Sequence, residues 1–109
     1  MRPLRGKMRY LGRLSGNGTL SSNGVVLGTA GYEIDGFCTK PGEVTGSGEI
    51  RMAPAELDDA FGRQNLELTT GEGRILQLRF SGNRRDPKAG AAHADITGGL
   101  PGENEWRRA

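Results

Sequence analysis

The strongest alternation of apolar and polar residues in this chain lies between Asn65 and Ser81. Polar residues separate the large apolar ones on both sides of a turn at residues 70–73, which contains two glycines. An apolar period of two on both sides of a turn indicates a half-buried β-hairpin. We expect other strands to cover its inner face, which carries Leu66, Leu68, Leu76, Leu78 and Phe80.

Two further extended segments precede this hairpin near the N-terminus. The first is predicted from Lys7 to Leu14, with Met8 on one face and Leu11 on the opposite face. The second runs from Gly24 to Phe37 and is interrupted by two glycines, which indicate a bulge or a bend. Both segments are expected to pack on the hairpin.

Turns and two more strands complete the predicted sheet. Asn-Gly pairs at residues 17–18 and 23–24 each predict a tight turn, because asparagine and glycine tolerate positive φ angles. A short strand over residues 19–21 is expected between these turns. Alternation also predicts a strand over residues 43–52 and a last strand over residues 92–97.

A helix is predicted immediately after the strand that ends near residue 52. Pro54 stands where a first helical turn begins, and the apolar residues Leu57, Ala60 and Phe61 follow at spacings of three and four. Proline suits the first turn because its missing N–H has no helical partner there, and the spacing puts the apolar side chains on one face. We therefore expect a short helix from Pro54 to Phe61.

The order of these elements predicts an all-β fold class: a single small antiparallel barrel or sandwich of about six strands, with one short helix between strands 3 and 4. The domain is expected to span residues 7–98. A flexible basic arm is predicted over residues 1–6, and a mobile tail over residues 99–109. The predicted core contains Leu14, Val26, Tyr32, Ile34, Val44, Ile50, Leu57, Phe61, Leu66, Leu68, Leu76, Leu78, Phe80 and Ile96.

Composition limits the class of protein without identifying it. The 109 residues include 19 glycines and a hydrophobic share of 34%, which favours a turn-rich barrel over a helical bundle. No run of ten apolar residues occurs, so a membrane-spanning helix is not expected, and the basic N-terminus lacks the apolar stretch of a secretory signal. Cys38 is the single cysteine and cannot form an internal disulfide, which predicts a cytoplasmic protein.

Basic residues are concentrated in two blocks of the sequence. Residues 1–13 carry five basic groups and no acid, and residues 74–88 carry five basic groups and one acid, whereas residues 33–72 carry nine acids and three bases. If the two basic blocks meet in space, they form a positive face that attracts phosphates or an acidic partner. The predicted anion-binding residues are Arg9, Arg13, Arg74, Arg79, Arg84 and Arg85.

The function predicted from these features is a non-catalytic binding or interaction module for an anionic ligand or a protein partner, with no cofactor. One alternative is a domain that binds single-stranded nucleic acid, similar in element order to the OB barrel, with Tyr10 or Tyr32 as a stacking face. Exposed strand edges also predict a homodimer formed by strand pairing. Trp106 is interpreted either as an uncommitted residue of the tail or as an anchor that docks in trans.

Two short motifs near the N-terminus resemble those of a known family. Residues 9–13 have the form R-x-x-x-R, and residues 19–27 resemble the D/N-x-S-x-x-G motif of PilZ domains. Thr19 stands in place of the Asp or Asn, and the two motifs lie closer together than in that family. PilZ domains are small β-barrels that bind cyclic di-GMP. The resemblance therefore implies a second alternative function, in which Arg9 and Arg13 hold phosphate and guanine.

Two chemical hypotheses use His93. As a general base, it would activate the thiol of Cys38 as a nucleophile. With Glu33, Asp35 and Asp95 it would form a metal site if the two strands that carry these residues paired side by side. Neither spacing is a known motif, so no catalytic residue and no metal ligand is predicted.

Overall fold

A computed structural model of this chain describes residues 8–82, 86 and 88–106. Six antiparallel strands form a closed barrel in the order β1-β2-β3-β6-β5-β4. The predicted fold class and the helix between strands 3 and 4 are confirmed, and the closed sheet is a barrel rather than a sandwich. The elements are β1 (Arg9–Ser22), β2 (Val25–Lys40), β3 (Glu43–Arg51), α1 (Pro54–Phe61), β4 (Leu66–Thr69), β5 (Ile75–Phe80) and β6 (Ala91–Gly98).

Strand β1 is longer than the sequence pattern predicts, because only one of the two Asn-Gly pairs forms a turn. Asn17 and Gly18 lie inside β1, where they pair with Gly31 and Ala30 of β2. Glycine serves a different purpose here: a Cβ at Gly18 would collide with the backbone carbonyl of Thr69 on β4. The predicted turn at residues 17–18 is therefore wrong. The Asn23-Gly24 pair does form the tight turn, with φ angles of 51° and 83°.

A β-bulge near the start of β1 corrects the predicted faces of that strand. Tyr10 pairs with Phe37 and Gly12 pairs with Gly36, so Leu11 is the extra residue of the bulge. The shift turns Leu11 into the barrel, where it is 2% exposed. Met8 and Tyr10 are half-exposed, so the two predicted faces of this strand do not hold at its start, and the predicted core omitted Leu11.

The barrel interior is filled mainly by the side chains that the alternation predicted. Two predicted core residues are corrected: Val26 is 66% exposed at the end of the β1–β2 hairpin, and Val44 is half-buried and lies outside the core cluster. The predicted Leu14, Phe61 and Phe80 are also half-buried, but they pack against that cluster. Leu20 was missed because its segment was expected to be a short strand between two turns. The fully buried large side chains are Leu20, Ile34, Ile50, Leu57, Leu68 and Leu76.

Helix α1 packs on the barrel beside β2 and β6. Leu57 and Ala60 are fully buried, as the spacing of three predicted, and the N–H of Leu57 donates to the carbonyl of Ala53 over 2.9 Å. Phe61 stacks on Phe80 of β5, with ring centroids 4.5 Å apart. No helix in the described part of the chain is long and apolar enough to cross a membrane.

The segment after β6, residues 99–106, lies against the barrel. Inward-facing glycines of β1, β2 and β3 pair in one row and leave space that this segment fills; they are Gly12, Gly36 and Gly46. The ring of Trp106 occupies the space above Gly36, and Leu100 lies against Gly46. The indole N–H of Trp106 donates to the carbonyl of Pro101 over 3.1 Å. Trp106 therefore docks on its own barrel.

The two predicted flexible ends are described to different extents. Residues 99–106 of the predicted tail have the packing given above, whereas residues 107–109 lie outside the described residues. The predicted basic arm, residues 1–6, also lies outside them. Motion of either end stays a prediction.

Candidate ligand-binding site

A cleft opens where β1 separates from β4. The two strands pair only between Thr19–Ser22 and residues 66–69, so the earlier part of β1 diverges from the β4–β5 hairpin. The C-terminal segment borders the same opening, which has a volume of about 360 Å³. This volume lies at the lower end of the roughly 300–1,000 Å³ range of small-molecule pockets. We call this opening the barrel cleft; it is lined by Arg13, Leu14, Ser15, Tyr32, Thr70, Glu72, Arg74, Pro101 and Glu105.

The β4–β5 turn holds Arg74 at the rim of the barrel cleft. The N–H of Thr70 donates to the carbonyl of Arg74 over 2.8 Å, and the Arg74 N–H donates to Thr70 Oγ1 over 3.1 Å. Thr70 is buried, so these bonds fix the turn firmly. Nη1 of Arg74 donates to the carbonyl of Gly99 over 3.1 Å, which ties the turn to the C-terminal segment. The remaining guanidinium N–H groups are donors for a ligand.

Tyr32 contributes a buried hydroxyl to the barrel cleft. The residue is 5% exposed, and the end of its ring lies over Gly16 of the neighbouring strand. Its hydroxyl makes no hydrogen bond to any residue that the structure describes. A hydroxyl that lines a cleft and has no protein partner can donate a hydrogen bond to a bound group or accept one from it.

Arg13 enters the barrel cleft already paired with a carboxylate. Its Nε and Nη2 donate to the two carboxylate oxygens of Asp35 over 3.0 and 3.4 Å, and the hydroxyl of Tyr10 donates to Oδ1 over 3.0 Å. The hydrogen bonds from Arg13 hold the pKa of Asp35 below its usual value, and the same contact raises the pKa of Arg13. The bond to Asp35 raises the pKa of Tyr10. Arg13 is thus held in place, but its charge is offset.

Lowering the pH is expected to remove the stabilising contribution of the Arg13–Asp35 pair. Because the pKa of Asp35 is lowered in the folded protein, the contribution is complete above the unfolded pKa of about 3.9 and is lost as the pH falls through the folded value. The unfolding free energies of the wild type and of Asp35→Asn, measured in urea, should differ most near neutral pH and should begin to converge only as the pH falls below about 4. A difference that does not change with pH would contradict this assignment.

Two carboxylates share the barrel cleft with the arginines. Glu72 lies in the β4–β5 turn and Glu105 in the C-terminal segment, so they reach the opening from different parts of the chain. Oε1 of Glu105 accepts the N–H of Gly102 over 2.8 Å. Among the described residues, neither carboxylate forms an ion pair with Arg74. The lining therefore has unpaired charges of both signs.

The structure divides the predicted anion-binding arginines among different places. Arg13 and Arg74 share the barrel cleft, whereas Arg79 lines a separate opening of about 290 Å³ beside the stacked phenylalanines. Arg9 forms an ion pair with Glu103. The predicted sites at Arg84 and Arg85 lie outside the described residues. Of the four predicted arginines that the structure describes, two are thus brought together.

Glu103 ties the end of the chain to the β2–β3 hairpin. Its Oε1 accepts the backbone N–H of Gly42 over 3.0 Å, and its Oε2 accepts a bond from Arg9. The Gly42 N–H is the main cause of the lowered pKa of Glu103. Arg9 therefore has a partner within the chain, and its side chain helps to hold the C-terminal segment in place.

The two hypotheses that use His93, a cysteine nucleophile and a metal site, combine residues of β2 with residues of β6. Cys38 is buried inside the barrel and its thiol donates to the carbonyl of Lys40 over 3.2 Å, whereas His93 is exposed on β6. Strand β3 separates the acids of β2 from His93 and Asp95 on β6. Glu33, Asp35 and His93 border one opening on the outer face of the barrel. Within the described residues, no group of three or more His, Cys, Asp or Glu could hold a metal ion.

Comparisons with known proteins add no identification. No family model, no curated protein and no solved structure matches this chain. Any functional assignment therefore depends on the geometry of the chain itself.

The structure separates the two motifs that resemble PilZ domains. Arg13 and Ser21 lie on the same strand, β1, with eight residues from one to the other. At about 3.3 Å per residue this is roughly 26 Å of strand. Thr19–Leu27 also includes the turn at the far end of the strand, so the two motifs lie toward opposite ends of β1.

Sequence reasoning missed several residues of the barrel cleft. Tyr32 was assigned to the core and considered as a stacking face, and its burial is confirmed, but its unpartnered hydroxyl depends on the packing around it. Glu72 sits between two glycines in a predicted turn, a position that exposes its side chain. Glu105 and Pro101 fall in the segment predicted as a tail, and no sequence signal links them to Tyr32.

Proposed function

We propose that this protein is a small non-catalytic binding module whose ligand site is the barrel cleft. An anionic group of the ligand or of a protein partner would accept hydrogen bonds from the free N–H groups of Arg74 and from the hydroxyl of Tyr32. Arg13, fixed by Asp35, would border the same group. A guanidinium offers several donors in one plane and suits carboxylates and phosphates.

The observation that carries this proposal is the buried hydroxyl of Tyr32. A tyrosine that only filled the core could be replaced by phenylalanine without leaving a polar atom inside the protein. Here the hydroxyl lines a cleft that also contains the guanidinium of Arg74, which donates a hydrogen bond to the carbonyl of Gly99 and has further N–H groups for a ligand. Convergent polar groups in a pocket of this size support a ligand site.

The test is a nuclear magnetic resonance titration with two simple anions, sodium acetate and sodium phosphate, at constant ionic strength. We expect saturable shifts of the amides of Thr70, Arg74 and Tyr32. Arg74→Gln should abolish saturation and Tyr32→Phe should weaken binding about ten- to a hundredfold, as expected for the loss of one hydrogen bond to a charged group. Arg79→Gln removes an equal charge from a different opening and should leave the titration unchanged.

Two results would reject the barrel cleft as an anion site. One is a set of shifts that never saturate and are spread over all exposed arginines. The other is an equal loss of binding in Arg74→Gln and in the Arg79→Gln control. Either result would mean that anions respond only to the general basic charge of the surface.

Other aspects of the proposed function concern location and assembly. We propose that the protein acts in the cytoplasm, which is supported by its free cysteine, Cys38. A homodimer formed by strand pairing stays a prediction. Because the barrel is closed, pairing with a second copy is restricted to stretches such as residues 25–30 of β2, which have no partner on β3.

Binding of single-stranded nucleic acid is less well supported, because acids surround Arg13 on the outer face of the barrel.

A further inference from the structure

The barrel cleft contains more negative charge than a site for a simple anion needs. Its lining includes two arginines and two glutamates, and Arg13 is already neutralised by Asp35. Arg74 is then the cation of the lining that has no carboxylate partner among the described residues, facing Glu72 and Glu105. A ligand with only negative charge would be attracted by the guanidinium of Arg74 but repelled by the carboxylates of Glu72 and Glu105.

The separation of these charges is built into the backbone. Hydrogen bonds within the turn and from Arg74 to Gly99 hold the guanidinium in place. The bond from the Gly102 N–H orients Glu105, whose segment is anchored by the docked ring of Trp106. Arg74 and Glu105 are thus held around a space of about 360 Å³, which Glu72 also borders, and these groups do not form ion pairs with each other.

We infer that the ligand of the barrel cleft is a small zwitterion, a molecule that carries an anionic group and a protonated amine. The anionic group binds Arg74 and the hydroxyl of Tyr32, and the ammonium binds Glu72 and Glu105. This inference rests on the proposed function, because it assigns chemistry to both ends of a ligand in the same cleft. A zwitterion satisfies charges of both signs and leaves no group of the lining facing a like charge.

The experiment compares three probes of equal chain length: 4-aminobutyrate, butyrate and butylamine. Each is titrated into the 109-residue chain at the same ionic strength and neutral pH, and binding is followed by the amide shifts of Thr70, Arg74 and Glu105. We expect 4-aminobutyrate to bind about tenfold or more tightly than either singly charged probe, because each end adds a charge-assisted hydrogen bond. Glycine and 6-aminohexanoate, tested in the same way, measure the preferred separation of the two charges.

Isosteric variants assign the two ends of the ligand. Glu72→Gln and Glu105→Gln should each weaken 4-aminobutyrate several-fold and should leave butyrate unchanged or bound more tightly. Glutamine keeps an oxygen that can accept the Gly102 N–H, so Glu105→Gln retains the local fold, and Trp106 fluorescence checks that its ring stays docked. Glu67→Gln, a change of the same charge on β4 outside the cleft lining, is the matched control and should have no effect.

The outcomes separate the two proposals. Equal affinity for butyrate and 4-aminobutyrate, unaffected by the glutamine variants, would overturn the zwitterion inference and leave the anion site intact. Tighter binding of butylamine than of 4-aminobutyrate would also overturn it. If none of the three probes causes saturable shifts in the barrel cleft, both the inference and the proposed function fail.

Discussion

Leu78→Ala is expected to lower the free energy of unfolding by about 2–5 kcal/mol. Leu78 lies on β5, where it pairs with Leu66 of β4 on one side and with Ile96 of β6 on the other. It is 4% exposed, so its side chain packs in the barrel interior. Truncation removes buried apolar surface and leaves a cavity that the closed barrel cannot easily fill. Urea unfolding followed by circular dichroism measures the change.

Ile75→Ala is the matched control for this prediction. Ile75 begins the same strand, but it is 46% exposed, so its truncation removes little buried surface. We expect a change within about 1 kcal/mol. A loss below about 0.5 kcal/mol in Leu78→Ala, or equal losses in the two variants, would mean that the inward face of this hairpin is assigned incorrectly.

Gly48→Ala should destabilise the barrel by about 3 kcal/mol or more. A Cβ on Gly48 would collide with the carbonyl group of Glu33 and approach the Cα of Ile34 within 2.9 Å. These are backbone atoms of the adjacent strand, so no side-chain rotation can relieve the contact and β2 must move away from β3. Overpacking against side chains already costs about 1–3 kcal/mol, and a backbone contact leaves fewer ways to relax.

Gly62→Ala is the control for the general effect of adding a methyl group. Gly62 follows helix α1 and has a φ of −90°, which alanine adopts freely. A Cβ added at Gly62 would lie 3.7 Å from the carbonyl oxygen of Asp59, which is an ordinary van der Waals contact. The stability of this variant should be unchanged or higher by about 0.5 kcal/mol, since alanine lowers the entropy of the unfolded chain. Both variants are compared by thermal and urea unfolding, and a Gly48→Ala protein as stable as Gly62→Ala would show that β2 and β3 lie farther apart.

The candidate site was only partly accessible from the sequence. Counting charges singled out Arg13 and Arg74, because both lie in basic blocks, and the fold brings these two residues to one cleft. The same count included Arg9 and Arg79, which the fold directs to Glu103 and to a different opening. A linear charge pattern cannot tell them apart, because an ion pair depends on which side chains face each other after folding.

The sequence by itself determined the parts of this protein that depend on neighbouring residues. Alternation placed the hairpin strands around Leu66 and Leu78, and proline with apolar spacing placed α1 at Pro54–Phe61. These patterns are local, because the side chains of a strand or a helix point to a face that is set by residue number alone. Short turns between them were enough to predict an antiparallel all-β domain.

Tertiary structure alone decided what happens where distant segments meet. Close approach of β4 to Gly18 keeps β1 continuous through an Asn-Gly pair that would otherwise turn. The same packing brings Glu105 and Arg74 to the open side of β1 and encloses the hydroxyl of Tyr32. Such contacts join residues separated by tens of positions, and their geometry follows from the closure of the barrel rather than from any local preference.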